Sequence, residues 1–379
     1  MERDRNEDGS GHARPSGNVG LVALRRLRPA TVPLVAVVLG VILGAVLMLS
    51  VGANPFEAYR AMLEGALGGS DQFGRTLEKA TPLVMGGLAV AFAFKAGLFN
   101  IGGQGQLLLG ASFAAWAGFT FDMPAIIHIP FALLVGGLAA ALLGGLVGYL
   151  KAYRGTHEVI STIMLNFVAT NLTDWLSSLD GPWGDPVATN PSRLARTPLV
   201  NGSAEIPHVG GLPLGFLVAV AAAIVCWWLL ERTTTGFEIR TVGANRHAAK
   251  YAGIRVARVT ILAMVVSAFL AGVGGSIETL GVVGRFEPGF NAGLGFDGIT
   301  IALLARTNPL AVVPAALLLG GMDAGASLMQ ARTVVEPEII SIIQAFILFF
   351  VAAPIAVRWI LRRRAGDDEP LQLTTGWGG

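Results

Sequence analysis

Hydrophobic residues along this chain fall into long runs separated by short polar gaps. Charged residues are absent from 33–51, 123–150, 159–172, 212–230, 259–277 and 339–357. A bilayer core about 30 Å thick is crossed by a helix of roughly 20 apolar residues. Several runs reach that length, and the shorter ones adjoin further apolar sequence. Lipid offers the backbone no hydrogen-bond partner, so runs of this kind must be helical. The pattern predicts an all-α, polytopic membrane protein of about ten transmembrane helices, some of them discontinuous. The expected spans are 32–52, 80–95, 105–120, 124–150, 158–178, 212–230, 259–283, 296–306, 309–330 and 337–360.

The polar stretches divide the remainder. Residues 1–30 are polar and aperiodic and read as a disordered tail; a transmembrane domain is expected over 31–361, with a second polar tail over 362–379. The first apolar run is longer than the 7–15 residues of a signal peptide, so it reads as a retained span. Residues 53–79 are amphipathic and suit a helix at the membrane surface. The segment FNIGGQGQ breaks the apolar pattern between 80–95 and 105–120, as in the discontinuous helices that line transport pathways. Residues 179–211 form a proline-rich connection, and 231–258 a basic one.

Lysine and arginine concentrate in cytoplasmic loops. Ten crossings with a cytoplasmic N-terminus place Lys95, Lys151, Arg154, the 231–258 loop, Arg306 and Arg362 to Arg364 together on the inside. Both termini are then cytoplasmic. The segments LAVAFAFKAGLFNIGGQGQLLLGAS and IALLARTNPLAVVPAALLLGGMDAGAS share a pattern. It fits an internal repeat, and it fits equally two stretches of low-complexity apolar sequence.

Composition narrows the function classes. Only 14% of the 379 residues are charged and the mean hydropathy is +0.62, against about 25% charged residues in soluble domains. The 50 glycines suit close helix–helix approach in a membrane. The single cysteine, Cys226, rules out an internal disulfide framework and reads as apolar packing. No basic block with interleaved aromatics suggests nucleic-acid binding. The chain has no GxxxxGK[ST] loop, no HExxH pair and no GxSxG elbow. No cofactor, metal or catalytic residue is therefore expected, and an intramembrane enzyme is the weakest reading.

Neutral polar residues inside the spans are the better candidates. Asn100, Gln104 and Gln106 cluster at the broken span, while Ser161, Thr162, Asn166, Thr170 and Asn171 lie along the fifth. Positions 158, 162, 166 and 169–170 share one helical face. Such a stripe suits a hydrogen-bonding solute, and it suits interhelical hydrogen bonding as well. Asn100, Gln104, Glu158 and Asn166 are the candidate pathway residues, because an amide both donates and accepts. The acidic residues Glu278 and Asp323 map toward the outer third, in a vestibule or at span ends.

At this point the sequence resembles a known family. NPFEAYRAMLEGALG, KATPLVMGGLAVAFAFKAGLFNIGGQGQLLLGA, THEVISTIMLNF and GANRHAAKYAGI are similar to the permease subunits of ABC importers for nucleosides and simple sugars. These belong with the ribose and branched-chain amino-acid permeases, and the resemblance is strongest to the nucleoside branch. It covers about 30–360. It implies a plasma-membrane permease that forms the translocation pathway with a second permease chain, the same or different. Separate ATPase subunits would dock below, and an extracytoplasmic lipoprotein would deliver the nucleoside or sugar. Ala248, Ala249 and Gly253 match the AAxxxG part of the importers' coupling motif EAAxxxG, with His247 where the family has Glu. The segment from Asn245 to Ile254, with basic Arg246 and Lys250, is the expected coupling element. The alternatives are a sugar or amino-acid permease of the same architecture and an ATP-independent secondary transporter.

Overall fold

The computed structural model describes residues 19–186, 192–289 and 293–353. Its helices are α1 (Val19–Ser50), α2 (Pro55–Leu67), α3 (Ser70–Lys95), α4 (Gly103–Thr120), α5 (Ala125–Arg154), α6 (Glu158–Ser177), α7 (Leu214–Arg232), α8 (Thr234–Ala244), α9 (Arg246–Tyr251), α10 (Val256–Glu278), α11 (Leu294–Leu304), α12 (Pro309–Arg332) and α13 (Glu338–Ala352). A π-helical turn, Thr279–Val283, continues α10. The described strands are a two-residue pair, His208–Val209 against Leu212–Pro213. Among the described residues six helices, α1, α3, α5, α7, α10 and α12, are long and apolar enough to cross a bilayer. The protein is a polytopic all-α membrane protein. Each expected span overlaps a helix among the described residues, the last of them up to Ala352 with 354–360 outside the described residues, and α2, α8 and α9 are additional.

Boundaries moved where local chemistry outweighed hydropathy. Helix α1 begins at Val19, inside the stretch read as tail. The stretch expected on the surface at 53–79 divides in two. Helix α2 buries Ala58, Ala61, Met62, Gly65 and Ala66, and its Gly65 lies against Gly325 and Leu328 of α12. The remainder is the start of α3, a continuous helix of 26 residues, about 39 Å long at 1.5 Å per residue. The span expected at 80–95 is thus the C-terminal part of a helix long enough to cross a bilayer. Helix α11 stays short, at 11 residues. Residues 1–18 and 354–379, which include the C-terminal tail, lie outside the described residues.

Packing is governed by side-chain size, since lipid and protein interior are equally apolar. On α1 the buried positions Ala36, Gly40, Gly44 and Met48 repeat every four residues, and Gly40 and Gly44 lie against Ile347 and Ile343 of α13. Leu34, Val38, Ile42 and Val46 are exposed on the opposite side. Helix α5 repeats the scheme, with Gly136, Ala140, Gly144 and Gly148 turned to α10 and Leu134, Leu138, Leu142 and Leu146 turned outward. At the centre Gly110 of α4 lies so close to Gly272 of α10 that any Cβ would strike its backbone.

The bundle has an internal correspondence, with a different frame from the one the matching segments suggested. Helix α10 packs on α3, α4 and α5, while α3 packs on α10, α11 and α12. The helices α3 and α10 run antiparallel, with Met85 beside Gly274 and the carbonyl of Ala89 beside Ser267. Thus α3–α4–α5 corresponds to α10–α11–α12 with reversed direction, an inverted arrangement seen in transporters. The similar segments, at the α3–α4 and α11–α12 junctions, do not occupy equivalent places.

The described residues of the proline-rich connection pack over one end of the bundle. The Val200 and Ile206 N–H groups donate to the carbonyls of Gly284 and Leu280, and Arg196 pairs with Asp185 at 3.0 Å. His128 Nδ1 meets Ser203 Oγ at 2.8 Å.

Candidate functional site

The broken span turns back into the bundle. Gly97 adopts φ +69°, which glycine tolerates without strain, and Leu98 N–H returns to Ala93 O. Asn100 is 1% exposed. Its Nδ2 donates to Gln106 Oε1 and Ser267 Oγ, both at 2.8 Å. Its Oδ1 accepts from Gly102 N–H at 3.0 Å and Gln106 Nε2 at 3.1 Å. Ser267 in turn donates to the carbonyl of Ala89 at 2.6 Å. Since Ser267 and Ala89 lie well within α10 and α3, Asn100 sits inside the bundle and α4 starts there, not at the bundle's end.

The first N–H groups of a helix have no partner within it. For α4, Gly105 N–H donates to Asn166 Oδ1 at 2.9 Å, while Asn166 Nδ2 donates to Ile101 O at 3.0 Å. For α11, Gly293 and Gly295 N–H donate to Gln104 Oε1 at 3.2 and 2.9 Å. The two helices therefore meet N-terminus to N-terminus inside the protein. Amide oxygens occupy the converging positive ends of their dipoles. Three of the four candidate pathway residues, Asn100, Gln104 and Asn166, are brought together at this junction.

The fourth, Glu158, lies elsewhere, at the turn between α5 and α6. Its Oε2 is 2.7 Å from Lys151 Nζ, with both side chains largely buried. Glu158, Thr162, Asn166 and Ala169 do share the buried face of α6.

At the end of the bundle that holds Lys95, α8 packs its Gly243 on the backbone of Lys95 and Ala96. A bend then leads to α9. Asn245 caps α9 by accepting from His247 and Ala248 N–H at 2.9 and 3.0 Å. Gly253 stops it with φ +80°, and Ile254 N–H closes back on Ala249 O at 3.0 Å. Ala249 is buried, and its neighbours His247, Ala248 and Lys250 are exposed; Tyr251 is 93% exposed. The spacing of Ala249 and Gly253 thus has a local reason: a small residue seats the helix and a left-handed glycine ends it.

Two cavities lie toward opposite ends of α3, one at Lys79 and one at Lys95. One, of about 400 Å³, reaches Leu294 at the first residue of α11 and is lined by Lys79, Glu278, Asp323, Ser327, Glu338 and Ser341 among others. The other, of about 450 Å³, lies at the opposite end of the bundle between α3, α7 and the start of α12, next to Lys95, Trp227, Arg232 and Asn308. Glu278 and Asp323 line the first.

Residues 73–352 match the family model described as the permease component of the branched-chain amino acid transport system. The chain belongs to this permease family. The permease is 40% identical over 344 residues to the guanosine ABC transporter permease protein NupP of Bacillus subtilis, covering 89% of this chain and 97% of that protein. It is 34% identical over 346 residues to the nucleoside ABC transporter permease protein NupB of Lactococcus lactis (89% and 94%). A glucose ABC transporter permease protein, TsgB13 of Haloferax volcanii, is 34% identical over 357 residues (91% and 93%). With relatives of this kind across nearly its whole length, the permease is a transport subunit of the ABC type.

Sequence reading of the permease missed Ser267, which ties Asn100 to α3, and the whole of α8. It also missed Ser327 and Ser341 as cavity residues. Ser327 carried a signal, since it follows Asp323 by four residues and so shares its face. Ser341 carried none, because only the packing of α13 brings it there.

Proposed function

We infer that this permease is the membrane subunit of an ATP-driven importer for nucleosides, seated in the plasma membrane with both termini in the cytoplasm. The observation that carries the reading is the similarity to guanosine and nucleoside permeases over nearly the whole chain. The glucose permease relative keeps simple sugars as the second reading. The partners are two ATPase subunits, a second permease chain and an extracytoplasmic substrate-binding lipoprotein. The chain itself performs no covalent step.

The proposed pathway runs along α3, between the cavity at Lys79 and the start of α11 and the cavity at Lys95. Asn100, Gln104 and Asn166 shape it by holding the N-termini of α4 and α11 at fixed depth, and Glu158 anchors α6 to α5 through Lys151. Alternating access then requires movement at this junction, driven by a ligand or partner that prefers one arrangement. The segment Asn245, Arg246, His247, Ala248, Ala249, Lys250 and Gly253 is the proposed coupling element. Its support is a short rigid helix with one small residue buried and the opposite side exposed, on the end that carries the basic loops. A groove on the ATPase would receive the exposed side, and Arg246 and Lys250 would meet acidic residues there.

The test uses the full complex in liposomes. Receptor-delivered nucleoside should be taken up only with ATP, and unlabelled sugars should not compete. Tyr251→Ala together with Ala248→Asp should uncouple ATP hydrolysis from uptake without changing the amount of folded permease. Uptake by the isolated chain down a gradient, or full coupling in the double variant, would refute the reading.

A further inference from the structure

We propose that the cavity at the start of α11 is a receiving site for uncharged polyhydroxylated solutes, and that its acidic lining turns phosphorylated ones away. The proposal rests on the importer reading above and adds to it a location and a basis for selection.

The cavity volume of about 400 Å³ falls within the roughly 300–1,000 Å³ typical of small-molecule sites. Its wall combines three carboxyl groups, on Glu278, Asp323 and Glu338, with one ammonium group, on Lys79, and two hydroxyls, on Ser327 and Ser341. Glu278 is 3% exposed, so it belongs to the interior wall and not to the rim. Asp323 is held in place by Gln344, whose Nε2 donates to Oδ1 at 2.8 Å. A pinned carboxylate matches the two O–H donors of a vicinal diol, while serine hydroxyls and the ammonium group serve ring oxygens and carbonyls. Five helices converge here, α3, α10, α11, α12 and α13, and Leu294 ties the cavity to the junction where α11 begins.

A cleft with low-dielectric walls and a surplus of one charge sign focuses its field. An anionic phosphate would meet the carboxyl groups of Asp323 and Glu338 against the single ammonium group of Lys79, whereas a neutral nucleoside or sugar meets only hydrogen-bonding partners. The lining therefore separates a nucleoside from its monophosphate independently of the receptor that delivers it.

Ser327→Cys in the assembled importer tests this, because the native Cys226 is buried. Its labelling by cationic trimethylammonium-ethyl and anionic sulfonato-ethyl methanethiosulfonate is compared with that of Ser50→Cys, an exposed position at the end of α1. The cation-to-anion rate ratio should exceed the reference by about threefold or more, as expected of a focused negative field, and should fall toward it with Asp323→Asn. Guanosine should slow the labelling and guanosine 5′-monophosphate at the same concentration should not. A ratio equal to the reference, or equal protection by both compounds, overturns the proposal. Ser341→Cys repeats the measurement should Ser327→Cys fold poorly. Loss of ATP-driven uptake in the native complex would instead strike the importer reading, and the labelling would still report on the cavity.

Discussion

Asn100→Ala separates a scaffold from a solute contact. In the native protein the Asn100 amide makes four hydrogen bonds, two by Nδ2 and two by Oδ1. Truncation leaves three groups without those partners: the N–H of Gly102 and both ends of the fully buried Gln106 amide. Ser267 keeps its bond to the carbonyl of Ala89. A buried polar group left unsatisfied costs about 1–3 kcal/mol, but interhelical hydrogen bonds measured in membranes average only about 0.6 kcal/mol. Three groups therefore bracket the loss between about 2 and 9 kcal/mol, with the lower half favoured because the membrane reference state finds partners too. The assay is unfolding of the purified permease in mixed micelles, followed by tryptophan fluorescence. Adding Gln106→Leu should recover part of the loss, because two of the three orphaned groups disappear with the amide. A change below about 0.5 kcal/mol, with transport abolished, would refute the scaffold argument and return Asn100 to the solute.

Other consequences can be checked in the same way. Gly110→Ala should reduce the folded yield sharply, since the new methyl group strikes the backbone of Gly272; recovery by folded-fraction chromatography at the native level would sink the close-packing argument. Lys151→Ala should destabilise by about 3–5 kcal/mol by leaving a buried carboxylate unpaired, and more than Glu158→Gln does; equal stability of the two variants in micelles would contradict this. Arg332, more than Arg60, holds the Glu64 carboxyl below its ordinary value of 4.5. A depressed carboxyl adds stability above its unfolded value and loses it as pH falls through the folded one. The contact between α2 and α12 should therefore loosen below about pH 4.5, and Glu64→Gln should remove that dependence, as read by hydrogen exchange in α2.

The membrane class, the ten apolar segments and the break at FNIGGQGQ were all legible in the sequence, because transfer into lipid acts on each residue separately. The four-residue spacing of small side chains on one side of α1 and α5 and large ones on the other is also written in the sequence. Local capping chemistry also lies in the sequence, and Asn245 and Gly253 bound α9 for reasons internal to that segment. The buried face of α6 emerged from the spacing of Glu158, Thr162 and Asn166.

What the amides do at the junction belonged to the tertiary structure alone. Asn100 bonds Ser267 across 167 positions and Gln104 caps a helix beginning 190 residues later. Such bonds depend on where α10 and α11 are placed, and no local pattern encodes that placement. The same holds for the inverted pairing of α3–α4–α5 with α10–α11–α12, for the docking of α2 on α12, and for the cavity where residues of five helices meet. Hydropathy sorts residues between water and lipid, but it is silent about which helix meets which. That choice is made by steric fit and by the need to satisfy every buried polar group, and both become defined only when the helices are assembled.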